Sequence, residues 1–384
     1  MNETAEGQPE LVAASPGPVK VVVVGAGGMG RAWISTVLGF PHAHLVGVAD
    51  VIDGAAARAV EDVVPEERRG AVATGTDAVT VAQQAGAEAI IDVTIPAAHH
   101  AVTSDALHAG LPVLGEKPCA ATLAESVSLA GHAETTGKLF MVSQSRRNNP
   151  HLREARRLTD QLGGAGIVDT RFYRAPRFGG FREEMAHPLI VDMAIHAFDA
   201  GRVLIDGNPA SVTATSSNPP WSWYAGDAAA TVTITYDSGA VHTYSGSWCS
   251  PGRETSWNGE WVLSCAGGTV SWDGEGPPTA QPEDGEAIVG RDPDGSDLWE
   301  LEHSLAQFCA ALRTGATPDS EVHANIWTQA IVEAAVRAAD TGRTVPLTEM
   351  LDEALDAARQ LDAADGRSSA LAAWKTGSSG LTVQ

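Results

Sequence analysis

The sequence predicts an α/β protein with two differently built halves. Its first part reads as a doubly wound parallel sheet, and its second as an α+β domain with an open, mainly antiparallel sheet. Three observations support this. Short apolar runs alternate with Ala-rich helical stretches up to about residue 145. Beyond that point the strands show period-two alternation broken by tight-turn signals. The chain, at 384 residues, is long enough for two or three domains at roughly 150 residues each.

The first 18 residues are polar and rich in Gly, Pro, Glu and Ala, and read as a flexible tail. Val19 to Val24 is a β-branched run that stops at Gly25. A strand buried on both faces has this composition, because neither face meets water. Gly28 to Leu38 follows with helical character. Leu45–Ala49, Ala89–Val93, Pro112–Leu114 and Leu139–Val142 are further strand candidates. His99–Ala109 and Leu123–Thr136 are helical stretches between them. Strands alternating with helices imply parallel pairing.

After residue 145 come a helix at Pro150–Leu162, a strand at Ile167–Arg174 and a helix at His187–Leu204. Strand candidates follow at Ser211–Thr215, Ala229–Tyr236, Ala240–Trp248, Glu260–Cys265 and Thr269–Trp272. Asp237-Ser238-Gly239 and Gly267-Gly268 supply the turns, so an antiparallel sheet of five or six strands with one face covered is expected. Asp297–Arg313, Glu321–Thr341 and Glu349–Ala364 read as amphipathic helices. The expected organisation is a tail at 1–18, a nucleotide-binding domain at 19–145, a substrate and oligomerisation domain at 146–347, and a helix with a flexible polar tail at 348–384.

Composition narrows the function. Lys plus Arg is 25 and Asp plus Glu is 48, a net charge of −23. Such a surface repels phosphate backbones and anionic lipid, which excludes nucleic acid and membrane as expected partners. Cys119, Cys249, Cys265 and Cys309 are scattered, with no Cys-x-x-Cys pair, so free thiols and no metal site are expected. The N-terminus lacks a basic start followed by an apolar stretch, and there is no apolar run of about 18 residues. A cytoplasmic location is expected.

Gly25-Ala-Gly27-Gly28-Met29-Gly30 directly follows the first strand and opens a helix. In this Gly-x-Gly-x-x-Gly spacing the first glycine permits the tight turn. The second lets backbone amides approach a pyrophosphate, and the third lets helix and strand pack closely. The helix N-terminus adds unpaired N–H groups and a partial positive charge. Asp50 closes the second strand 20 residues after Gly30, where a carboxylate is expected on the ribose hydroxyls of a dinucleotide. A carboxylate there repels a 2′-phosphate, so NAD is favoured over NADP unless Arg58 folds back toward the ribose.

Two further stretches carry chemistry-bearing residues. Thr94-Ile95-Pro96-Ala-Ala-His99-His100 and Glu116-Lys117-Pro118-Cys119 each lie just past a strand, at the edge where open α/β sheets bind ligands. The chain has four lysines, Lys20, Lys117, Lys138 and Lys375, against 21 arginines. In so arginine-biased a chain Lys117 is less expected as surface filler. The other stretch contains Asp192 and His196, four residues apart and so on one helix face, among Ile190, Val191, Met193, Ile195 and Phe198. On the residues alone this pair reads equally as a satisfied buried ion pair or as a functional one.

The motif set Gly25–Gly30, Thr94-x-Pro96-x-x-x-His100, Glu116-Lys117-Pro118 and Asp192-x-x-x-His196, in this order, resembles the Gfo/Idh/MocA family over roughly residues 19–347. The resemblance implies a Rossmann domain followed by an α+β domain whose sheet forms a homodimer or homotetramer interface. It implies oxidation of a sugar or cyclitol hydroxyl, or reduction of the ketone, with NAD or NADP. It also implies that Lys117, Asp192 and His196 form the catalytic group, and that the cofactor meets Gly25, Gly27, Gly28, Met29, Gly30, Asp50, Thr94, Pro96, His100, Glu116 and Lys117. Arg146, Arg147 and Asn148 lie where the family often contacts nicotinamide or substrate.

The residue types suit this reaction. An imidazole with a pKa of about 6.5 exchanges protons near neutrality, which makes His196 the expected general acid/base. Lys117 would hydrogen-bond the same oxygen and stabilise alkoxide character. Asp192 would bind a neighbouring hydroxyl or orient His196. Six of the ten tryptophans lie between residues 221 and 272, and Trp221 and Trp223 in their Pro/Ser loop are expected to meet the sugar. Arg182, His187 and Arg147 are further candidate substrate contacts. No basic cluster demands a phosphorylated sugar, so a neutral polyol, monosaccharide or glycoside is expected. Two other readings fit the same motifs: a glycosidase that uses bound NAD for transient oxidation, and a non-catalytic dinucleotide sensor.

Overall fold

The computed structural model describes residues 17–295 and 297–381. The tail expected at the N-terminus falls largely on residues 1–16, outside the described residues. The chain divides into two compact units. One holds the described residues up to Ala121 with Leu129–Ser143 and Leu301–Val322; the other holds Thr122–Ser128, Gln144–Glu300 and the chain from His323 onward.

The first unit is built on six parallel strands: β1 (Val19–Val24), β2 (Ala43–Ala49), β3 (Ala73–Gly75), β4 (Ala89–Asp92), β5 (Val113–Glu116) and β6 (Phe140–Ser143). Their order is β3-β2-β1-β4-β5-β6, a doubly wound sheet that reverses between β1 and β4. Every residue of β4, β5 and β6 is buried, as both-sided helix cover requires. β3 escaped the sequence reading because three residues, Ala-Thr-Gly, carry no apolar run. The helix Glu300–Thr314, expected to start at Asp297, falls almost entirely in this unit rather than with the neighbouring stretch of sequence.

Among the described residues, the second unit carries nine strands where five or six were expected. They are β7 (Ala165–Tyr173), β8 (Pro209–Ser217), β9 (Ala229–Tyr236), β10 (Val241–Ser247), β11 (Glu260–Cys265), β12 (Gly268–Trp272), β13 (Thr279–Pro282), β14 (Ile288–Val289) and β15 (Val345–Pro346). Their order is β14-β13-β12-β11-β7-β10-β9-β8-β15. Only β7 and β10 pair in parallel. The three unexpected strands are two to four residues long; β14 and β15 form the two edges of the sheet, and the prolines of β13 and β15 lie at strand ends, where a missing N–H is tolerated. Val168, Thr170 and Phe172 of β7, with Trp261 and Leu263 of β11, are buried, while their neighbours face outward, giving one covered face.

Two further differences bear on function. The expected single helix at 187–204 is divided: Leu189–Ala194 makes wide i→i+5 turns, and regular α-helix begins only at Ile195. The segment after residue 365, read as a polar tail, is packed. Leu371, Trp374 and Leu381 are buried, and Arg359 donates to the carbonyls of Leu371 and Trp374 at 3.0 and 2.6 Å. Three apolar residues spread over eleven positions give no periodic signal, yet suffice to anchor it.

Candidate functional site

The first unit brings its chemistry to the C-terminal edge of β1, β2, β4 and β5. Gly25 has φ +101°, and a Cβ there would lie 2.5 Å from the carbonyl oxygen of Val93. A Cβ on Gly30 would lie 1.9 Å from the carbonyl oxygen of Gly25. These two glycines are required by the protein itself. Gly27 and Gly28 differ, since a Cβ on either would meet nothing within 4 Å. The helix Gly28–Gly39 starts there with no side-chain cap and no acidic residue in its first turn. The result is an open cradle of amides at a positive helix end, which fits a pyrophosphate. Met29 is exposed beside it.

Asp50 closes the cradle on the β2 side. Its Oδ2 accepts from the Ala26 N–H at 2.7 Å and its Oδ1 from the Ile52 N–H at 2.8 Å. The carboxylate is thus fixed where ribose hydroxyls would approach. The exposed Arg58 folds back over the following turn, with Nη1 2.9 Å from the position of a Cβ on Gly54.

At the end of β4, Asp92 is fully buried and accepts from the Thr94 hydroxyl at 2.7 Å, the Thr94 N–H at 3.1 Å and the Thr103 hydroxyl at 3.0 Å. Burial pushes its carboxyl above the usual range, against the opposing pull of His99 and these donors. Pro96 takes the first position of the helix Pro96–His108, where its missing N–H costs nothing. His99, one turn on, places Nδ1 2.8 Å from the Pro118 carbonyl oxygen and Nε2 3.0 Å from that of Thr94.

The motif points to His100 as the cofactor contact rather than to His99. The structure puts His100 against His132, ring centroids 6.1 Å apart, in helix packing rather than between the strand-end turns. Glu116 is also turned inward. It accepts from the Trp33 indole N–H at 2.8 Å and from the Lys117 N–H at 3.1 Å, and burial raises its pKa. Its carboxylate therefore braces the first helix against the end of β5 and leaves the half-buried Lys117 ammonium as the polar group of this turn.

The second unit gathers a separate set. Asp192 lies in the wide turns and His196 in the first turn of the helix Ile195–Leu204, both half-buried. The Arg182 Nε donates to Asp192 Oδ2 at 2.6 Å. His187 is buried, with Nε2 2.9 Å from Asp340 Oδ1, so it anchors the segment instead of presenting a ring to a ligand. Trp221 is exposed and its indole N–H donates to the Cys249 carbonyl at 2.8 Å; Trp223 is half-buried with the Arg177 guanidinium 3.9 Å from its ring centroid.

Arg147, a candidate substrate contact, is placed in the core. It is buried with Nε 3.2 Å from Asp199 Oδ2, next to the largely buried Arg202. Burial drives the Arg202 pKa down to about 10. Arg146 is half-buried and turned to other partners. It donates to the Trp257 carbonyl, and its guanidinium lies within the electrostatic reach of Glu300, Asp192 and Arg174. Burial lowers its pKa, and the two carboxylates oppose that shift. Adjacent residues in one tight turn face opposite ways, which residue type alone does not reveal.

Comparison with known proteins gives the following. The family model described as Gfo/Idh/MocA, "Oxidoreductase family, NAD-binding Rossmann fold", matches residues 19–144, and the model for the Gfo/Idh/MocA C-terminal domain matches residues 152–271. The uncharacterized protein y4oX of Sinorhizobium fredii is 27% identical over 359 residues, covering 86% of this chain and 96% of its own. The scyllo-inositol 2-dehydrogenase (NAD(+)) of Bacillus subtilis is 27% identical over 247 residues, 61% of this chain and 68% of its own. Among solved structures, an oxidoreductase from Agrobacterium radiobacter in complex with NAD+, L-tartaric acid and magnesium shares the fold. Its TM-score is 0.77 at 18% identity, covering 86% of this chain and 99% of that one.

Proposed function

The chain belongs to the Gfo/Idh/MocA family of NAD-binding oxidoreductases, and from that premise we propose that it interconverts a secondary hydroxyl and a ketone on a sugar, cyclitol or glycoside, with NAD favoured over NADP. The observation that carries the redox reading is the Gly25–Gly30 turn. Two of its glycines are demanded by the protein's own backbone, and the other two leave open space over backbone amides at a helix N-terminus, where a pyrophosphate fits.

Gly27, Gly28 and Met29 would hold the pyrophosphate and Asp50 the adenosine ribose. Thr94, Pro96 and Lys117 would border the nicotinamide end. Bound NAD supplies the redox chemistry. The protein's own part is to bind, orient and move a proton. His196 takes the proton from the substrate hydroxyl, or returns it to the ketone. The Lys117 ammonium donates to the same oxygen and stabilises its negative character. Asp192 accepts a hydrogen bond from a neighbouring hydroxyl and fixes the sugar's orientation. His99, Asp92 and Glu116 act through the turns they brace.

The substrate class is supported by the names of relatives, which include inositol 2-dehydrogenase of Saccharopolyspora erythraea and D-apiose dehydrogenase of Paraburkholderia graminis. We also propose a homodimer or homotetramer joined through the open face of the second sheet, where Ile167 and Val262 are exposed.

The test is absorbance at 340 nm with a panel of cyclitols, monosaccharides and glycosides against NAD and NADP. Lys117→Ala and His196→Ala are each expected to lower turnover about 10²–10⁴-fold with NAD still bound. Near-normal turnover in either variant removes its assigned role. A panel without turnover, in a protein that binds NAD, overturns the dehydrogenase reading.

A further inference from the structure

This inference rests on the reading that Asp192 meets a sugar hydroxyl. We propose that the sugar is presented as a glycoside with an aromatic aglycone, and that Phe178, Phe181 and Trp257 seat that ring.

Strand register brings the necessary loops together. Tyr173 at the end of β7 is paired with Ser247 at the end of β10, and Glu260 at the start of β11 with Arg171. The segments after β7, after β10 and before β11 therefore open at one edge of the sheet. Phe178 is 50% exposed there, Phe181 64% and Trp257 36%. Phe178 packs its ring against Trp248 and Trp257, with centroids 5.6 and 6.4 Å apart, so these are not scattered surface residues.

The residue types choose the occupant. Phe has no polar atom and offers no hydrogen bond to hydroxyls, so a bare cyclitol or free sugar gains from these rings only what its C–H face buries. A planar apolar ring gains both area and edge-to-face contact. The position agrees. Arg182 binds Asp192 at 2.6 Å, and the same guanidinium lies 5.5 Å from the Phe178 centroid and 4.8 Å from that of Phe181. One side chain thus spans the carboxylate and the ring seat, as a sugar spans its hydroxyl and its glycosidic substituent.

Charge argues against a phosphate or nucleotide in that seat. Arg182 is balanced by Asp192, and Arg174, whose guanidinium covers Trp257 at 4.3 Å, by Glu254 at 2.7 Å. At this edge Arg177 lies on Trp223 with no carboxylate partner among the described residues, while Arg146, which donates to the Trp257 carbonyl, lies within the electrostatic reach of Glu300 and Asp192.

The experiment is calorimetric titration of the full chain, saturated with NAD, against matched methyl and phenyl glycosides of glucose, galactose, mannose and xylose. At least one phenyl glycoside is expected to bind about tenfold or more tightly than its methyl partner, a ratio that the double variant Phe178→Ala/Phe181→Ala brings toward one. Equal binding of every pair, binding of neither member, or a ratio that survives the double variant overturns the proposal. If the patch instead joins two copies, the parent ratio is one and the double variant changes the mass seen by light scattering, which also overturns it. Absorbance at 340 nm in the same samples reads the underlying function separately: preferential phenyl binding without NADH leaves the seat standing and removes the dehydrogenase.

Discussion

His99 and Pro118 are joined across the first unit's ligand edge: the buried imidazole Nδ1 lies 2.8 Å from the Pro118 carbonyl oxygen, while Nε2 reaches Thr94 at 3.0 Å. One ring therefore ties the turn after β4 to the turn that carries Lys117. Removing it takes a ring N–H donor away from a half-buried carbonyl, at about 1–3 kcal/mol. His99→Ala is expected to lose about 1–3 kcal/mol in urea unfolding. If the clasp also sets the Lys117 turn, turnover falls by more than NAD affinity does. An unchanged turnover at saturating NAD would show that the clasp is structural only.

The four glycines of the first turn separate into two kinds, and substitution tests the division. Gly27 has φ −70°, which alanine adopts freely, and a Cβ there meets no protein atom. Gly27→Ala is expected to keep its unfolding free energy within about 0.5 kcal/mol while losing tenfold or more in NAD affinity by fluorescence titration. Gly30→Ala forces a Cβ to 1.9 Å from the Gly25 carbonyl oxygen and is expected to destabilise the fold itself. A Gly27→Ala protein that binds NAD normally would remove the cradle.

In the proposed function Asp50 favours NAD through a carboxylate held by Ala26 and Ile52. Asp50→Ser removes the charge that repels a 2′-phosphate and leaves Arg58 near the same turn. The ratio of kcat/KM for NADP to that for NAD is expected to rise by about tenfold or more, at roughly 1.4 kcal/mol per factor of ten. A ratio that does not move would place the discrimination elsewhere.

The glycine turn and Asp50 were legible because their requirement is a residue type: no Cβ at two positions, a carboxylate at the third. The β1, β4 and β6 runs were legible because burial on both faces leaves mostly apolar residues, with Lys20, Asp92 and Ser143 the exceptions. What stayed hidden was orientation. His99 and His100 are adjacent on a helix and differ by a fifth to a third of a turn, and only packing decides which faces Pro118. Arg146 and Arg147 pose the same problem in a tighter turn. The wide turns at Leu189–Ala194 left no mark, since the residues there are ordinary helix formers.

Arg146 and Arg147 can be told apart by what their removal breaks. Arg147 pairs with the buried Asp199, which keeps Arg202 at 3.8 Å and the Thr328 hydroxyl at 2.8 Å, so Arg147→Ala removes one of two cations and is expected to cost about 1–3 kcal/mol in unfolding free energy. Arg146→Ala leaves the core intact and is expected to raise the substrate KM with little change in unfolding midpoint. The reverse pattern would return the substrate role to Arg147.

His242 gives the fold a pH dependence whose sign is fixed. Its ring is fully buried, with Nε2 2.9 Å from the Thr170 hydroxyl and its face stacked on Trp261 at 5.6 Å. A Cβ on Gly201 would lie 2.4 Å from its Nδ1, so nothing larger than glycine fits opposite. Burial lowers its pKa from 6.5 to about 3. Between these values the unfolded chain binds a proton that the folded chain refuses. The stabilisation is therefore complete above pH 6.5 and is lost on acidification toward 3, by about 1.4 kcal/mol per pH unit. Asp92, Glu116 and Glu333, whose pKa values burial raises, act in the opposite sense, so the parent's total slope alone does not isolate the histidine. His242→Gln removes the titration and keeps a polar group opposite Thr170. The difference between parent and variant unfolding free energies is expected to shrink by about 1.4 kcal/mol from pH 6 to pH 5, and a difference that stays constant would mean the buried ring is protonated in the folded protein.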